Sequence, residues 1–236
     1  IDIMKNLFCT LLVAGLFNTS WSQNPTFAPQ DETYTDPSLA VFVDQLLEAI
    51  DKRDQHFLYS VLDYDVSGIR GEASGISDFK QEWNSENDSS KVWPLMKRAI
   101  KLGGVFLNDT NDLTGRYQFV FPYVYDLPLD IEDDYFNIGV ITGKNVNLRD
   151  GPDTASPIKS QLTYDVIWFL DGDQYGQTRS GTNPYGDPEW YQVETYDRQQ
   201  RGWVNWRYVY SPMDYRMFLF KDGKGNWKIS AFLAGD

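Results

Sequence analysis

One cysteine and one histidine stand in a chain of 236 residues, and that scarcity limits the chemistry at once. Thiol catalysis needs a cysteine beside a base, but Cys9 sits in an apolar run close to the N-terminus. A serine triad would have to recruit His56. That residue stands in Asp54-Gln-His-Phe57, and the chain has no Gly-x-Ser-x-Gly, so His56 reads as a surface or packing residue. Structural or catalytic zinc takes several His or Cys ligands, so no metal centre is expected. Glycine-rich phosphate loops are absent, and no cofactor is implied. Asp171-Gly-Asp-Gln-Tyr-Gly176 begins like a calcium loop. Its fifth position is Tyr175 and its twelfth is Thr182, where a bidentate Glu belongs. Glycoside hydrolysis uses two carboxylates roughly 5–9 Å apart. That is a spacing in space, which the order of 34 acidic residues does not report.

Aromatic surface is the remaining chemical signal. Thirteen aromatic residues fall between positions 164 and 215. Tyr175 and Tyr185 lie in a sixteen-residue loop, Gly172–Asp187, rich in glycine, tyrosine and asparagine. A loop this long between short strands is more often functional than incidental. With Trp190, Trp206 and Tyr208, the two tyrosines are the candidate ligand-binding residues, since rigid amphipathic rings bind at small entropic cost. The competing reading is that these rings fasten the loop to the rest of the molecule.

The elements that would position such a site are legible as periodicities. Asp36-Pro37 supplies an N-cap and a proline at the first helical position. Leu39, Phe42, Val43, Leu46, Leu47 and Ile50 then mark one apolar helical face, ending near Arg53. Shorter helices are expected over Ile76–Trp83 and Ser90–Leu102, the latter stopped by Gly103-Gly104. Val105–Leu107 and Arg116–Tyr125 read as strands, with Pro122 marking an edge or bulge. From Asn137 to Pro212 the pattern changes to short β-runs: Gly139–Thr142, Asn145–Arg149, Ile158–Leu162, Asp165–Leu170, Trp190–Tyr196 and Gly202–Asn205. Within these, Val146, Leu148, Ile158 and Leu162 are expected to face inward. Gly202 would allow a close backbone approach. Tyr215–Lys221 and Trp227–Leu233 form a hairpin around Asp222–Asn226. Alternation puts Met217 and Leu219 on one face and Phe218 on the other, and groups Trp227, Ile229, Ala231 and Leu233 against Lys228, Ser230 and Phe232. Large apolar side chains on both faces require the hairpin to join a sheet elsewhere.

Residues 140–210 resemble the bacterial SH3-like domain, a small barrel often carried by exported cell-wall proteins. The resemblance rests on Val140-Ile-Thr-Gly143, Asn145-Val-Asn-Leu-Arg-Asp-Gly-Pro152, Ser156-Pro-Ile158 and Gln161-Leu-Thr-Tyr-Asp165, followed by Trp190-Tyr-Gln-Val193 and Gly202-Trp-Val-Asn-Trp-Arg-Tyr-Val209. These blocks occur in the family's order over about a third of the chain. The departure is the long loop at 172–187, where the family has a short connection. Gly75-Ile-Ser-Asp-Phe79 before Trp83, with the terminal Gly-Asn-Trp-Lys-Ile-Ser strand, bears a slighter likeness to the α+β fold of nuclear transport factor-type proteins. The resemblance implies recognition of a cell-wall peptide or glycan, or of an envelope protein.

At the N-terminus, Met4-Lys-Asn, the apolar run Leu7–Phe17 and the polar stretch Asn18–Ser22 form a signal peptide, with Ser20 and Ser22 at the positions a signal peptidase reads. Ile1-Asp-Ile3 reads as translation from upstream of the start. The apolar run is shorter than the ~20 residues of a membrane anchor, no later segment is apolar enough to span a bilayer, and no cysteine follows Ser22. Net charge is −13, and residues 31–135 hold 21 acids against 9 bases. A field of this sign opposes nucleic-acid binding.

The expected organisation is a signal peptide (1–22), a linker (23–36), an acidic α+β domain (37–135), an SH3-like barrel (136–212) and a C-terminal β-hairpin (213–236). The hairpin is expected to complete the antiparallel sheet of the α+β domain, so that its removal unfolds 37–130 and spares the barrel. The expected function is that of a non-catalytic protein, exported to the periplasm or beyond. The alternative is a hydrolase or small-molecule-binding protein using carboxylates in a pocket of the α+β domain.

Overall fold

The computed structural model describes residues 24–68, 75–108, 115–129, 135–170 and 181–235. The segment read as a signal peptide, Tyr175 and the acidic start of the calcium-like loop lie outside them. The described residues form a mixed α+β structure with four α-helices and two sheets.

Helix α1 runs from Pro37 to Lys52. The Asp36 carboxylate caps it, accepting from the Ser38 and Leu39 N–H groups at 2.7 and 3.3 Å and from the Lys221 ammonium at 2.8 Å. These donors hold the Asp36 carboxyl well below the usual carboxylate range, the Lys221 bond contributing most. Helix α2 (Gln55–Val61) follows and carries His56 exposed on its surface. Helices α3 (Gly75–Trp83) and α4 (Val92–Lys101) complete the layer. Gly103, at φ +90°, ends the α4 segment where a Cβ would meet the Gln30 carbonyl oxygen at 2.4 Å.

The first sheet has the order β1 (Leu62–Ser67), β12 (Trp227–Leu233), β11 (Arg216–Lys221), β3 (Phe119–Phe121), β2 (Val105–Phe106). The C-terminal hairpin thus supplies the second and third strands, pairing parallel to β1 and antiparallel to β3. Strand β1, Leu-Asp-Tyr-Asp-Val-Ser, alternates apolar and polar residues, but its burial does not follow the alternation: Leu62 and Val66 are buried while Tyr64 is 82% exposed. It is held by its pairing with β12 and by buried Leu62 and Val66, and Arg116 reaches both its acids, at 2.6 Å from Asp63 and 2.5 Å from Asp65. The expected strand over Arg116–Tyr125 shrinks to three residues. Pro122 has no N–H for the ladder, and a 3₁₀ turn follows at Tyr123–Asp126.

Two bulges overrule simple alternation. In the β11–β12 pair the register jumps between Phe218 and Leu219, passing over Ser230. Trp227, Ile229 and Phe232 therefore join the helix-side core, whereas Ala231 and Leu233 turn to the opposite face. Alternation had grouped Phe232 with Lys228; one extra residue inverts the faces beyond it. Buried Ser230 is satisfied there, its hydroxyl donating to the Arg116 carbonyl at 2.6 Å.

The second sheet is antiparallel throughout, in the order β10 (Val209–Tyr210), β4 (Ile138–Ile141), β7 (Val166–Phe169), β8 (Trp190–Thr195), β9 (Arg201–Asn205), β5 (Val146–Arg149), β6 (Ile158–Leu162). It is open between β10 and β6; no closed barrel is found among the described residues. Val146, Leu148 and Leu162 are buried within it. Ile158 is 52% exposed, contrary to the inward position expected of it. A register jump opposite Leu148/Arg149 pairs Ile158 with outward-facing Arg149. A Cβ on Gly202 would meet the Arg149 carbonyl oxygen at 2.5 Å, which accounts for glycine at that crossing.

Three apolar clusters knit the layers. One lies between the helices and the first sheet and another lies within the second sheet. The third joins the two sheets: Val120, Phe218, Ala231 and Leu233 meet Val140, Val166 and Tyr210 there, with Tyr123 and Val124. The segment read as a linker belongs to this seam. Phe27 is buried in it, the Phe27 N–H donates to the Tyr164 carbonyl at 2.7 Å, and Asn24 donates to Asp165 at 3.0 Å. Among the described residues no helix is long and apolar enough to cross a membrane.

Candidate functional site

Helix α4 buries Trp93, Met96, Ala99 and Ile100, which turns Lys97, Arg98 and Lys101 outward along its last turn and a half. On the side facing the second sheet stands the 3₁₀ turn Trp206–Tyr208. Asn205 opens this turn, its side-chain oxygen accepting from the Arg207 N–H at 3.2 Å. The Trp206 N–H donates to the Glu189 carbonyl at 3.0 Å, which ties the turn to the end of the long loop.

The described end of that loop is rigidly built. Asn183-Pro-Tyr-Gly186 has Asn, Pro and Gly where a type I turn favours them, and Gly186 N–H closes onto the Asn183 carbonyl at 3.1 Å. Buried Asn183 also accepts through its side chain from the N–H groups of Tyr185 (2.8 Å) and Asp187 (3.1 Å). Lys91, from the start of α4, donates to the Tyr185 carbonyl at 2.6 Å. Tyr185 is thereby set edge-on against Trp206, with ring centroids 5.5 Å apart at 84°.

Between these elements runs an open groove of about 660 Å³. Tyr185, Trp206, Leu102 and Pro94 give it apolar walls, Thr142 a hydroxyl, and Lys97, Arg98, Lys101 and Arg207 its charge. Among the described residues no carboxylate lines it. The Arg98 guanidinium lies 4.7 Å from the Trp206 ring and 4.8 Å from that of Tyr210, and donates to the carbonyls of Trp206 (3.0 Å) and Val209 (2.9 Å). Lys97 is paired with Asp51 of α1. Arg207 stacks at 5.4 Å on Trp206.

Of the five sequence-derived candidates, Tyr185 and Trp206 come together in this groove. Tyr208, 48% exposed, follows in the same turn, and its carbonyl accepts from the Thr142 N–H at 2.9 Å. Trp190 is only 6% exposed on β8 and does not line the groove. Trp206 is itself 7% exposed, so its ring is mainly a wall that orients Arg98 and Arg207. The cations of α4 were missed in the sequence. Their signal was the Lys-Arg-x-x-Lys run on the polar side of the apolar stripe, but its spatial neighbour Arg207 lies over a hundred residues away.

A second, small cavity of about 50 Å³ lies nearby, with Asp187, Asp214, Tyr210 and Ser211 in its walls. Burial pushes the Asp214 carboxyl above the usual carboxylate range, and the Asp187 charge adds to the effect. Arg98, Arg216 and the Tyr215 N–H oppose it. Burial also raises the Tyr210 hydroxyl, which donates to the Tyr215 carbonyl at 2.5 Å. Among the described residues no group of three or more His, Cys, Asp or Glu side chains is arranged to hold a metal ion. Comparison with family models, curated proteins and solved structures yields no match.

Proposed function

We propose that this is a non-catalytic exported binding protein whose second sheet is an SH3-like module recognising a cell-wall peptide or an envelope protein. The groove between that sheet and α4 is the recognition site. One observation carries the reading: four cations converge with two aromatic rings, and no carboxylate among the described residues, in a chain whose acids outnumber its bases 34 to 21. The ordered blocks from Val140 to Val209 support the SH3-like assignment, and the N-terminal segment supports export. Tyr185 contributes half-buried ring surface, and Trp206 orients Arg98 and Arg207. The groove falls within the ~300–1,000 Å³ of ordinary ligand sites, whereas the Asp187–Asp214 cavity falls far below it. That contrast favours the binding reading over carboxylate chemistry on a glycan.

The test is co-sedimentation of the purified protein with peptidoglycan sacculi and with envelope extract, beside Tyr185→Ala. The wild type is expected to sediment with one of them, and the variant to retain a minor fraction of that binding. Wild-type protein left wholly in the supernatant in both cases overturns the reading.

A further inference from the structure

We propose that the groove takes its ligand by a carboxylate, seated between Lys101 and Arg207, with the adjoining part of a short peptide against Tyr185 and Leu102; this deepens, and rests on, the binding reading above. The four groove cations are not equivalent. Lys97 is neutralised by Asp51, and the Arg98 Nη2 group is directed to two backbone carbonyls of the Trp206–Tyr210 segment. Lys101 and Arg207 have no carboxylate partner among the described residues, and both are exposed.

Cations at the end of a helix answer its negative C-terminal dipole, and this accounts for Lys101 in part. It does not account for Arg207, which comes from the 3₁₀ turn between two strands of the second sheet and converges on the same groove. Two charges brought together from separate elements, without a counter-ion, suit an anionic group supplied from outside. A guanidinium and an ammonium flanking one site match the two oxygens of a carboxylate.

The net charge selects the source of that anion. A polyphosphate chain would bring many negative charges against a field of −13, whereas a peptide with one free carboxylate brings a single charge to a locally positive site. The apolar walls suit a short side chain or backbone stretch beside that carboxylate.

The experiment follows the Trp206 indole and Arg207 amide signals by NMR while the protein is titrated with N-acetyl-D-alanyl-D-alanine, with its C-terminal amide, and with inorganic phosphate. The acid is expected to shift both signals saturably, with a Kd roughly tenfold or more below that of the amide and of phosphate. A Lys101→Gln/Arg207→Gln double variant should weaken the acid by about the same factor. Lys144→Gln, an exposed cation outside the groove, should leave it unchanged. Both groove substitutions are on exposed side chains, and an unchanged melting curve checks that the variant is folded. Equal binding of acid and amide, tighter binding of phosphate, or no saturable shift with any probe overturns the inference. Retained binding to sacculi alongside equal acid and amide affinities would defeat the carboxylate alone. Loss of sacculus and envelope binding with the acid preference intact would defeat the wider reading alone.

Discussion

Arg98 and Asp214 face each other electrostatically across the junction of α4 with the second sheet, and their partners explain why each is tolerated there. Arg98 satisfies two carbonyls and lies against two rings, so its charge is delocalised over a fixed framework. Among the described residues the Asp214 carboxylate accepts one N–H, from Tyr215 at 2.8 Å, in a crowded setting that disfavours its charge. Its folded pKa lies above the unfolded value of ~3.9, so between the two the folded state binds more protons. Stability therefore falls as pH rises through that window, and the full cost stands above the folded pKa. Asp214→Asn is expected to raise the melting temperature at pH 7, with the gain shrinking towards zero at pH 4. Calorimetry at the two pH values checks this, and a gain that is the same at both, or a loss at pH 7, would contradict it. Tyr185 and Trp206 could be singled out in the sequence because aromatic residues in a polar loop or a turn lack a periodic reason for burial. Lys101 and Arg98 could not, since a basic last turn is ordinary for any helix.

Secondary-structure elements were legible wherever periodicity or punctuation was strong. The Asp36-Pro37 cap, the stripe from Leu39 to Ile50 and the Gly103 stop all mark real helix ends, and six strands between Ile138 and Asn205 fall within a residue or two of their expected bounds. What alternation misplaced were the residues past each bulge. Phe232 and Ile158 exchanged faces because one extra residue in a ladder leaves no mark in the composition. Strand β1 and helix α2 were not anticipated. The first pairs with β12, over 160 residues away, and the second is only seven residues long. The Ser230 bulge has a measurable consequence. Phe232, fully buried and 4.9 Å from Trp83, is a core residue of the helical layer. Phe232→Ala should cost about 3–5 kcal/mol in urea unfolding, whereas a loss under 1 kcal/mol would place Phe232 with the half-exposed Lys228 after all.

Taken together, the layers do not separate along the boundaries that composition suggests. The hairpin at 216–233 lies inside the first sheet, and its outer face, with Phe218, Ala231 and Leu233, is part of the core shared with the second sheet. The 24–36 segment adds Phe27 to the same seam. Cores of this kind unfold cooperatively. Removing residues 213–236 is therefore expected to cost both sheets, where sequence reasoning alone expected the second to survive. Loss of dispersed amide signals from Ile138–Val209 in the truncated chain checks this; a native-like spectrum for that region would contradict it. The shared seam also explains how the groove proposed as the recognition site is assembled from α4, a loop and a 3₁₀ turn that are distant in sequence: the interface fixes their spacing. The most direct measurement of this account is photocrosslinking to peptidoglycan sacculi or envelope extract. A photoreactive residue is placed in turn at Lys101, at Arg207 and, as the reference, at exposed Lys159 on β6. Crosslinks from positions 101 and 207 and none from 159 are the predicted result. Crosslinks from 159 alone, or from none of the three, would contradict a site between helix and sheet.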